Sequence, residues 1–394
     1  MGTGTARIGI LTSGGDCPGL NAVIRGAVKS AARLDAEMVG FRRGYEGLVD
    51  PVTYMALDTT NTSGIINRGG TILGSTNKGR FAARTGIDER VELDPQLIQA
   101  VKRTIDQLGL MGLICIGGDG SLAVAAQFHE CGIPVVGVPK TIDNDLSATA
   151  FSFGFDSAVA CATDAMDRLH TTAESHERIM VLEVMGRHTG WIALQAGIAG
   201  AASVILIPEI PWNWDNVCQK ILERDNVGKR FSLIVVAEGA ELPSGGFVTT
   251  PAGSVGGQVR LGGIGHVVAR ELHERLKRET RVVVLGHLQR GGPPTNFDRA
   301  LATQFGAHAV RLVLQRQFGQ MVAYAPPDVK SVKIHDAVDK ISRVSPDSSA
   351  VVAARTLGVS FGEYPPGESP LLRSLMEELS SRDTKDAELA GAGS

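Results

Sequence analysis

A chain of 394 residues exceeds one domain of about 150, so two or three domains with separate cores are expected and a disulfide-stapled mini-protein is excluded. Apolar residues make up 43% and charged residues 21%, with 48 Gly and only 5% aromatics, the mark of a globular α/β chain rich in tight turns. Lys and Arg number 39 against 42 Asp and Glu, a formal charge of -3. No global positive field awaits a nucleic acid or an anionic bilayer, so any anionic ligand must be held locally.

The N-terminus runs from Met1 to Arg7 into a strand-like segment without a basic stretch followed by an apolar one, and no apolar run approaches about 18 residues. Neither secretion nor membrane spanning is expected. Met1-Gly2 could open a myristoylation signal, but Ala6 stands where Ser or Thr is needed.

Short β-branched runs then alternate with amphipathic stretches to about residue 320, the pattern of strands joined by crossover helices. The first is Ile8-Gly9-Ile10-Leu11, followed by the turn Thr12-Ser13-Gly14-Gly15-Asp16-Cys17-Pro18-Gly19 and a helix from Asn21 to Arg33. Consecutive glycines aim backbone amides inward and the helix N-terminus adds positive dipole, which suits a phosphate oxygen. No Gly-Lys-Ser/Thr closes the turn, so it is not a Walker A loop. By itself it reads equally well as a tight turn with no ligand.

Leu113 to Ile116 repeats the plan, with the turn Gly117-Gly118-Asp119-Gly120-Ser121 and a helix from Leu122 to Glu130. Phosphoryl chemistry needs a hard cation held by one or two carboxylates, a role open to Asp119; an isolated Asp there would more simply cap the helix. The third turn, Pro139-Lys140-Thr141-Ile142-Asp143-Asn144-Asp145, follows the Val-rich strand Pro134 to Val138. A hydroxyl nucleophile needs a base and a second acid can organise Mg²⁺, so Asp143 and Asp145 can divide those tasks.

Further strand-like runs end at Val184, Val236 and Leu285, so five edges are expected to point at one cleft beyond the carboxyl ends of the strands. Basic residues gather in the later loops: Arg178, Arg187 after Met185-Gly186, Arg281, and His287-Leu288-Gln289-Arg290. Guanidinium forks and a His can form a cage for a second phosphate, although each Arg taken singly reads more simply as a solvated surface residue or a salt-bridge partner. Glu238 can accept hydrogen bonds from sugar hydroxyls, whereas Glu183 can pair with a neighbouring Arg.

Pro243-Ser244-Gly245-Gly246 and the stretch from Thr250 to Gly257 read as a surface loop. After Pro326 the patterns thin out, and from about Glu363 the tail reads as loosely ordered. The five cysteines (Cys17, Cys115, Cys131, Cys161, Cys218) are odd in number and without CxxC spacing, which indicates neither disulfides nor zinc and points to a reducing cytoplasm.

Together, the strings Thr12 to Asn21, Gly117 to Ser121, Pro139 to Asp145, Met185 to Arg187 and Gly286 to Gly292 resemble the 6-phosphofructokinases, in order from about Arg7 to about Asp339. The resemblance implies an α/β fold of two Rossmann-like three-layer domains with mostly parallel sheets and a cleft between them. A donor domain would take residues 1–154 and about 289–340. A sugar-phosphate domain would take 155–288, with part of 341–360 packing on it. The implied reaction phosphorylates fructose 6-phosphate at its C1 hydroxyl.

By motif position, Asp143 would be the proton acceptor, Thr141 a neighbour of the moving group and Arg187 its charge stabiliser. Asp119 and Asp145 would hold Mg²⁺. Gly15, Asn77, Lys78, Gly118, Asp119, Gly120 and Ser121 would meet the donor, although relatives with ATP usually carry Arg where Asn77 stands. The sugar phosphate would fall to Thr141, Ile142, Asp143, Met185, Gly186, Arg187, Glu238, His287, Leu288, Gln289 and Arg290, with Arg178 and Arg281 reaching in from a neighbouring subunit of a homotetramer. Donor choice rests on two positions. Gly120 leaves room for the α-phosphate of ATP, whereas Lys140 resembles the pyrophosphate-using and mixed-substrate enzymes. An ATP-dependent enzyme of the mixed-substrate branch is expected. The alternatives are a reversible pyrophosphate enzyme and a noncatalytic sugar-phosphate-binding subunit.

Overall fold

The apolar runs in Ile8–Leu11, Leu113–Ile116 and Val135–Val138 lie in adjacent parallel strands. All of their residues are buried as continuous segments, Gly9 against Leu113 and Phe41 included, as strands covered on both faces require. The structure is a computed structural model that describes residues 5–76, 79–85, 89–250, 260–338, 340–365, 370, 373 and 374. Asn77, Lys78, the stretch 251–257 and most of the expected tail lie outside the described residues.

In chain order the first elements are β1 (Ala6–Thr12), α1 (Leu20–Arg33), β2 (Ala36–Phe41), β3 (Tyr54–Leu57), β4 (Arg84–Thr85) and β5 (Glu89–Arg90). Then come α2 (Pro95–Leu108), β6 (Leu110–Gly117), α3 (Asp119–Glu130), β7 (Val135–Thr141), β8 (Phe153–Gly154) and α4 (Phe155–Ser175). The middle holds β9 (Ile179–Val184), α5 (Trp191–Ala199), β10 (Val204–Leu206), α6 (Trp214–Asn226), β11 (Ser232–Ala237), β12 (Thr249–Thr250), β13 (Arg260–Leu261), α7 (Ile264–Leu276) and β14 (Thr280–Val284). The last are α8 (Asn296–Leu314), β15 (Gln320–Ala325), β16 (Asp328–Lys333), α9 (Ile334–Val338) and α10 (Ser349–Thr356).

The chain divides into one unit of Met1–Cys161 with His287–Ser342 and a second of Ala162–Gly286 with Arg343–Ser394. The division falls inside α4. The sheet of the first unit runs β16-β15-β7-β6-β1-β2-β3, with β8 also on β7; its pairs are parallel except β2 with β3 and β15 with β16. The sheet of the second runs β10-β11-β9-β14 and is parallel throughout. Both are α/β, as expected.

Two departures from the sequence expectations have local causes. Beyond Pro326 the chain forms β16, α9 and α10. The segment Asp328–Lys333 is an edge strand that among the described residues pairs only with β15, and its largely exposed polar side chains hide it from a search for apolar alternation. Helix α3 starts at Asp119, three residues before the expected Leu122, so Asp119 and Gly120 lie in its first turn.

In the first unit, α8 lies directly on α1. A Cβ at Gly306 would stand 2.2 Å from the Val23 carbonyl oxygen and one at Gly26 2.5 Å from that of Thr303, so only glycine permits this crossing.

Candidate active site

Register brings the three expected turns of the first unit together. Thr12 of β1 pairs with Ile116 of β6, and Gly117 of β6 pairs with Pro139 of β7, so all three turns leave the same sheet edge side by side. The Ser13 amide donates to the Ile116 carbonyl (2.9 Å) and the Gly14 amide to that of Thr76 (3.0 Å). Ser121 of α3 faces the glycine turn, its Oγ 3.2 Å from where a Cβ on Gly14 would stand. The hydroxyl of buried Tyr45 donates to the Ser121 carbonyl (2.7 Å), fixing the first turn of α3, a contact the sequence reading missed.

Lys140, next to last in β7, is almost wholly buried, and its ammonium donates to the Gly15 carbonyl. Burial pushes its pKa down, partly opposed by Asp143 and Asp145. Cys17, in the same turn, is buried and its thiol is pushed up to about 12 by desolvation, so it is inert as a nucleophile.

Asp143 is buried, and its backbone amide donates to the Thr141 hydroxyl (3.0 Å). Asn144 takes a left-handed φ of 51°, which its amide side chain tolerates by accepting from the Ser152 amide (3.1 Å). The Ser152 hydroxyl in turn donates to the Thr141 carbonyl (2.9 Å). Such bonds, made by the backbone and by the Thr141, Asn144 and Ser152 side chains, hold the loop. Ile142 is wholly buried, so only its backbone can face a ligand.

Asp145 Oδ1 is buried and takes no hydrogen bond from the described residues. A buried carboxylate oxygen without a donor suits a hard cation, and Asp119, partly exposed at the start of α3, lies beyond the neighbouring strand. The residues present therefore fit Mg²⁺.

The segment Gly286–Arg290 also belongs largely to the first unit. Arg290 Nη1 donates to the Asp16 carbonyl (3.2 Å), which seats the guanidinium on the glycine turn. His287 and Leu288 are exposed. Gln289, expected at the sugar phosphate, is instead wholly buried and donates to the Ala158 carbonyl (3.4 Å). Its side chain anchors the segment.

In the second unit, Met185-Gly186-Arg187 and Glu238 follow β9 and β11, which are in register at Val184 and Ala237. The Glu238 amide donates to the Val184 carbonyl (2.8 Å), and a Glu238 carboxylate oxygen accepts from the Arg187 amide (3.2 Å). Arg187 is left-handed at φ 50° and exposes its side chain, and a Cβ on Gly239 would overlap the Arg187 carbonyl oxygen at 1.7 Å. A strained residue held by its surroundings is characteristic of a working position.

Arg178 and Arg281 depart from the expected cage. Thr280 pairs with Ile179, so both residues lie at the amino ends of β9 and β14, about 20 Å along the strand from Met185 and Glu238. There Arg178 Nε pairs with Glu279 (2.8 Å), whose other oxygen binds Arg281. The Arg178 guanidinium at that distance holds the Glu279 carboxyl below its ordinary range. Among the described residues no arginine pairs with Glu183; its buried carboxylate accepts from the amides of Gly263 (2.9 Å) and Gly265 (2.8 Å), capping α7.

A family model described as Phosphofructokinase matches residues 7–313. The chain is 53% identical over 363 residues to the ATP-dependent 6-phosphofructokinase of Chloroflexus aurantiacus, covering 92% of this chain and 99% of that protein. Among solved structures it is similar to the phosphofructokinase of Pichia pastoris in the T-state, with a TM-score of 0.75 and 29% identity over 91% of this chain and 37% of that longer one. The pyrophosphate-dependent phosphofructokinase of Marinobacter aquaeolei shares the fold at a TM-score of 0.72 and 20% identity, covering 93% of this chain and 94% of that one.

Proposed function

The chain belongs to the phosphofructokinase family, and we propose that it acts as an ATP-dependent 6-phosphofructokinase, moving the terminal phosphoryl group of ATP to the C1 hydroxyl of fructose 6-phosphate. The observation that carries this reading is the meeting of the glycine turn, the α3 N-terminus and buried Asp143 at one edge of one sheet.

Amides of Gly15 and of Gly118 to Ser121 face donor phosphate oxygens, helped by the dipole of α3. Asp143 accepts the proton of the C1 hydroxyl as the oxygen attacks, and Thr141 holds the Asp143 backbone in place. Asp119 and Asp145 would hold Mg²⁺, which when bound neutralises charge on the donor phosphates. Arg187 meets charge on the moving group. His287 and Arg290 bind the 6-phosphate, and Glu238 the sugar hydroxyls.

Gly120 favours ATP. It is exposed, its φ is not left-handed, and a Cβ there would meet nothing within 4 Å. Nothing among the described residues requires glycine at this helix position, where Ala would gain up to about 1 kcal/mol, which supports a reading in which the position is kept small for the α-phosphate of the nucleotide. Lys140 favours pyrophosphate by its charge, but that charge is committed to the Gly15 carbonyl.

Arg178 and Arg281 act on the substrate of a neighbouring copy in a homotetramer. Support comes from β14, an edge strand that among the described residues pairs only with β9, with Val283 36% and Val284 42% exposed, a surface that favours cover. None of the five cysteines forms a disulfide, which supports a cytoplasmic enzyme. No described helix is long and apolar enough to cross a membrane.

Steady-state assays with fructose 6-phosphate and either ATP or pyrophosphate test the reading. Turnover with ATP is expected; turnover with pyrophosphate alone overturns the donor assignment, and turnover with neither overturns the enzyme.

A further inference from the structure

Three consecutive residues in the first turn of α4 hold three points of the segment that carries His287 and Arg290. Asp156 accepts a hydrogen bond from the Thr295 hydroxyl, the Ser157 hydroxyl accepts from the Thr295 amide (3.0 Å), and the Ala158 carbonyl accepts from Gln289 (3.4 Å). The tie is reciprocal. Asp298, in the first turn of α8, accepts at Oδ2 from both the Ser157 amide (2.8 Å) and the Ser157 hydroxyl (2.6 Å). Thr295 caps α8 by accepting from the Asp298 amide (3.3 Å).

Two helix N-termini thus meet head to head, and each is served by a carboxylate from the other helix. Both ends carry positive partial charge, and the carboxylates between them give each end a charge-assisted acceptor that orients the two helices. Asp298 is wholly buried, and neither acid has an ion-pair partner among the described residues. The glycine crossing of α8 on α1 fixes the far side of the latch.

We infer that Asp298 is a positioning residue: through Ser157 and Thr295 it holds the segment Gly286–Arg290 so that His287 and Arg290 meet the sugar phosphate, without touching substrate itself. This rests on the proposed 6-phosphofructokinase activity. Burial, opposed by Ser157 and the Gly154 amide, pushes the Asp298 carboxyl up to about 6. The titratable groups facing it are Asp156 from α4 and the neutral Cys17 thiol; Arg299, next in α8, gives its Nε to the Pro294 carbonyl. The latch therefore weakens as pH falls through about 6.

The test measures kcat and the KM for fructose 6-phosphate from about pH 5.5 to 8 for the wild type, Asp298→Asn and Ser157→Ala. Asn keeps the shape of the protonated acid. At pH 8, Asp298→Asn should raise KM about tenfold with kcat within about twofold, and the ratio of its KM to that of the wild type should fall toward one below about pH 6. Ionisation of the substrate phosphate near pH 6 cancels in that ratio. Ser157→Ala should also raise KM at pH 8, and it decides alone if Asp298→Asn does not fold. An unchanged KM in Ser157→Ala, a pH-independent ratio for Asp298→Asn, or kcat falling in step with a rising KM overturns the inference. A wild type inactive with both substrates overturns the functional reading instead.

Discussion

The Lys140 ammonium donates to the carbonyl of Gly15, and this bond makes a residue expected to grip the donor into one that shapes the donor turn. A buried ammonium with a lowered pKa and a fixed acceptor is poorly placed to follow an alternative ligand. Lys140→Met should loosen the turn and raise the KM for ATP about tenfold, the worth of a charge-assisted hydrogen bond, without creating turnover with pyrophosphate. Kinetics with each donor check this; unchanged ATP kinetics would count against the turn-shaping role.

Asp143→Asn should retain fructose 6-phosphate binding while lowering kcat by roughly two to four powers of ten, the contribution of a general base. The Thr141 hydroxyl bonds the Asp143 backbone, not its carboxylate, so the loop should survive the change. Single-turnover rates together with equilibrium binding of the sugar phosphate separate the two effects. A variant that binds weakly yet turns over normally would refute the assignment.

Gly120→Asp should fold with a thermal midpoint no lower than wild type, because the space around position 120 is open and an acid suits the first turn of a helix. The KM for ATP should nevertheless rise at least about tenfold, since the added carboxylate meets a phosphate. Thermal denaturation and ATP kinetics on the same preparation read both halves of this prediction.

The three turns of the first unit were legible because β-branched runs ending in glycine turns are local signals, and parallel pairing then places their ends together. The positions of Arg178 and Arg281 were not, because bordering a strand does not say at which end of the sheet a side chain lies. Gln289 read as a ligand since a polar residue in a polar motif carries no mark of burial. The latch had a faint signal, the Thr295-Asn296-Phe297-Asp298 spacing of a helix cap, but its partner Ser157 lies 141 residues away and only the fold joins them.

Glu183 should prove structural rather than catalytic. Its buried carboxylate accepts from two amides at the start of α7, so Glu183→Ala should cost about 1–3 kcal/mol in denaturant unfolding through the amides left unpaired, with kcat close to wild type. A large loss of kcat in a variant of wild-type stability would place Glu183 in the chemistry instead.

Asp298 links stability to pH with a sign opposite to that of a salt-bridged acid. Its folded carboxyl titrates at about 6 against an ordinary 3.8, so the native state binds this proton more tightly than the unfolded chain does. The associated stability is fully present below the unfolded value and is lost as pH rises through about 6. Over the two or so units of displacement the loss amounts to about 3 kcal/mol. Asp298→Asn, which never ionises, should therefore be more stable than wild type at pH 8 by up to that amount, and the gap should narrow as the solution is acidified from about pH 6 toward the ordinary value of 3.8. Denaturant unfolding of both proteins across that range checks the prediction. A variant less stable than wild type at pH 8 would mean that the Ser157 and Thr295 bonds outweigh the burial of charge.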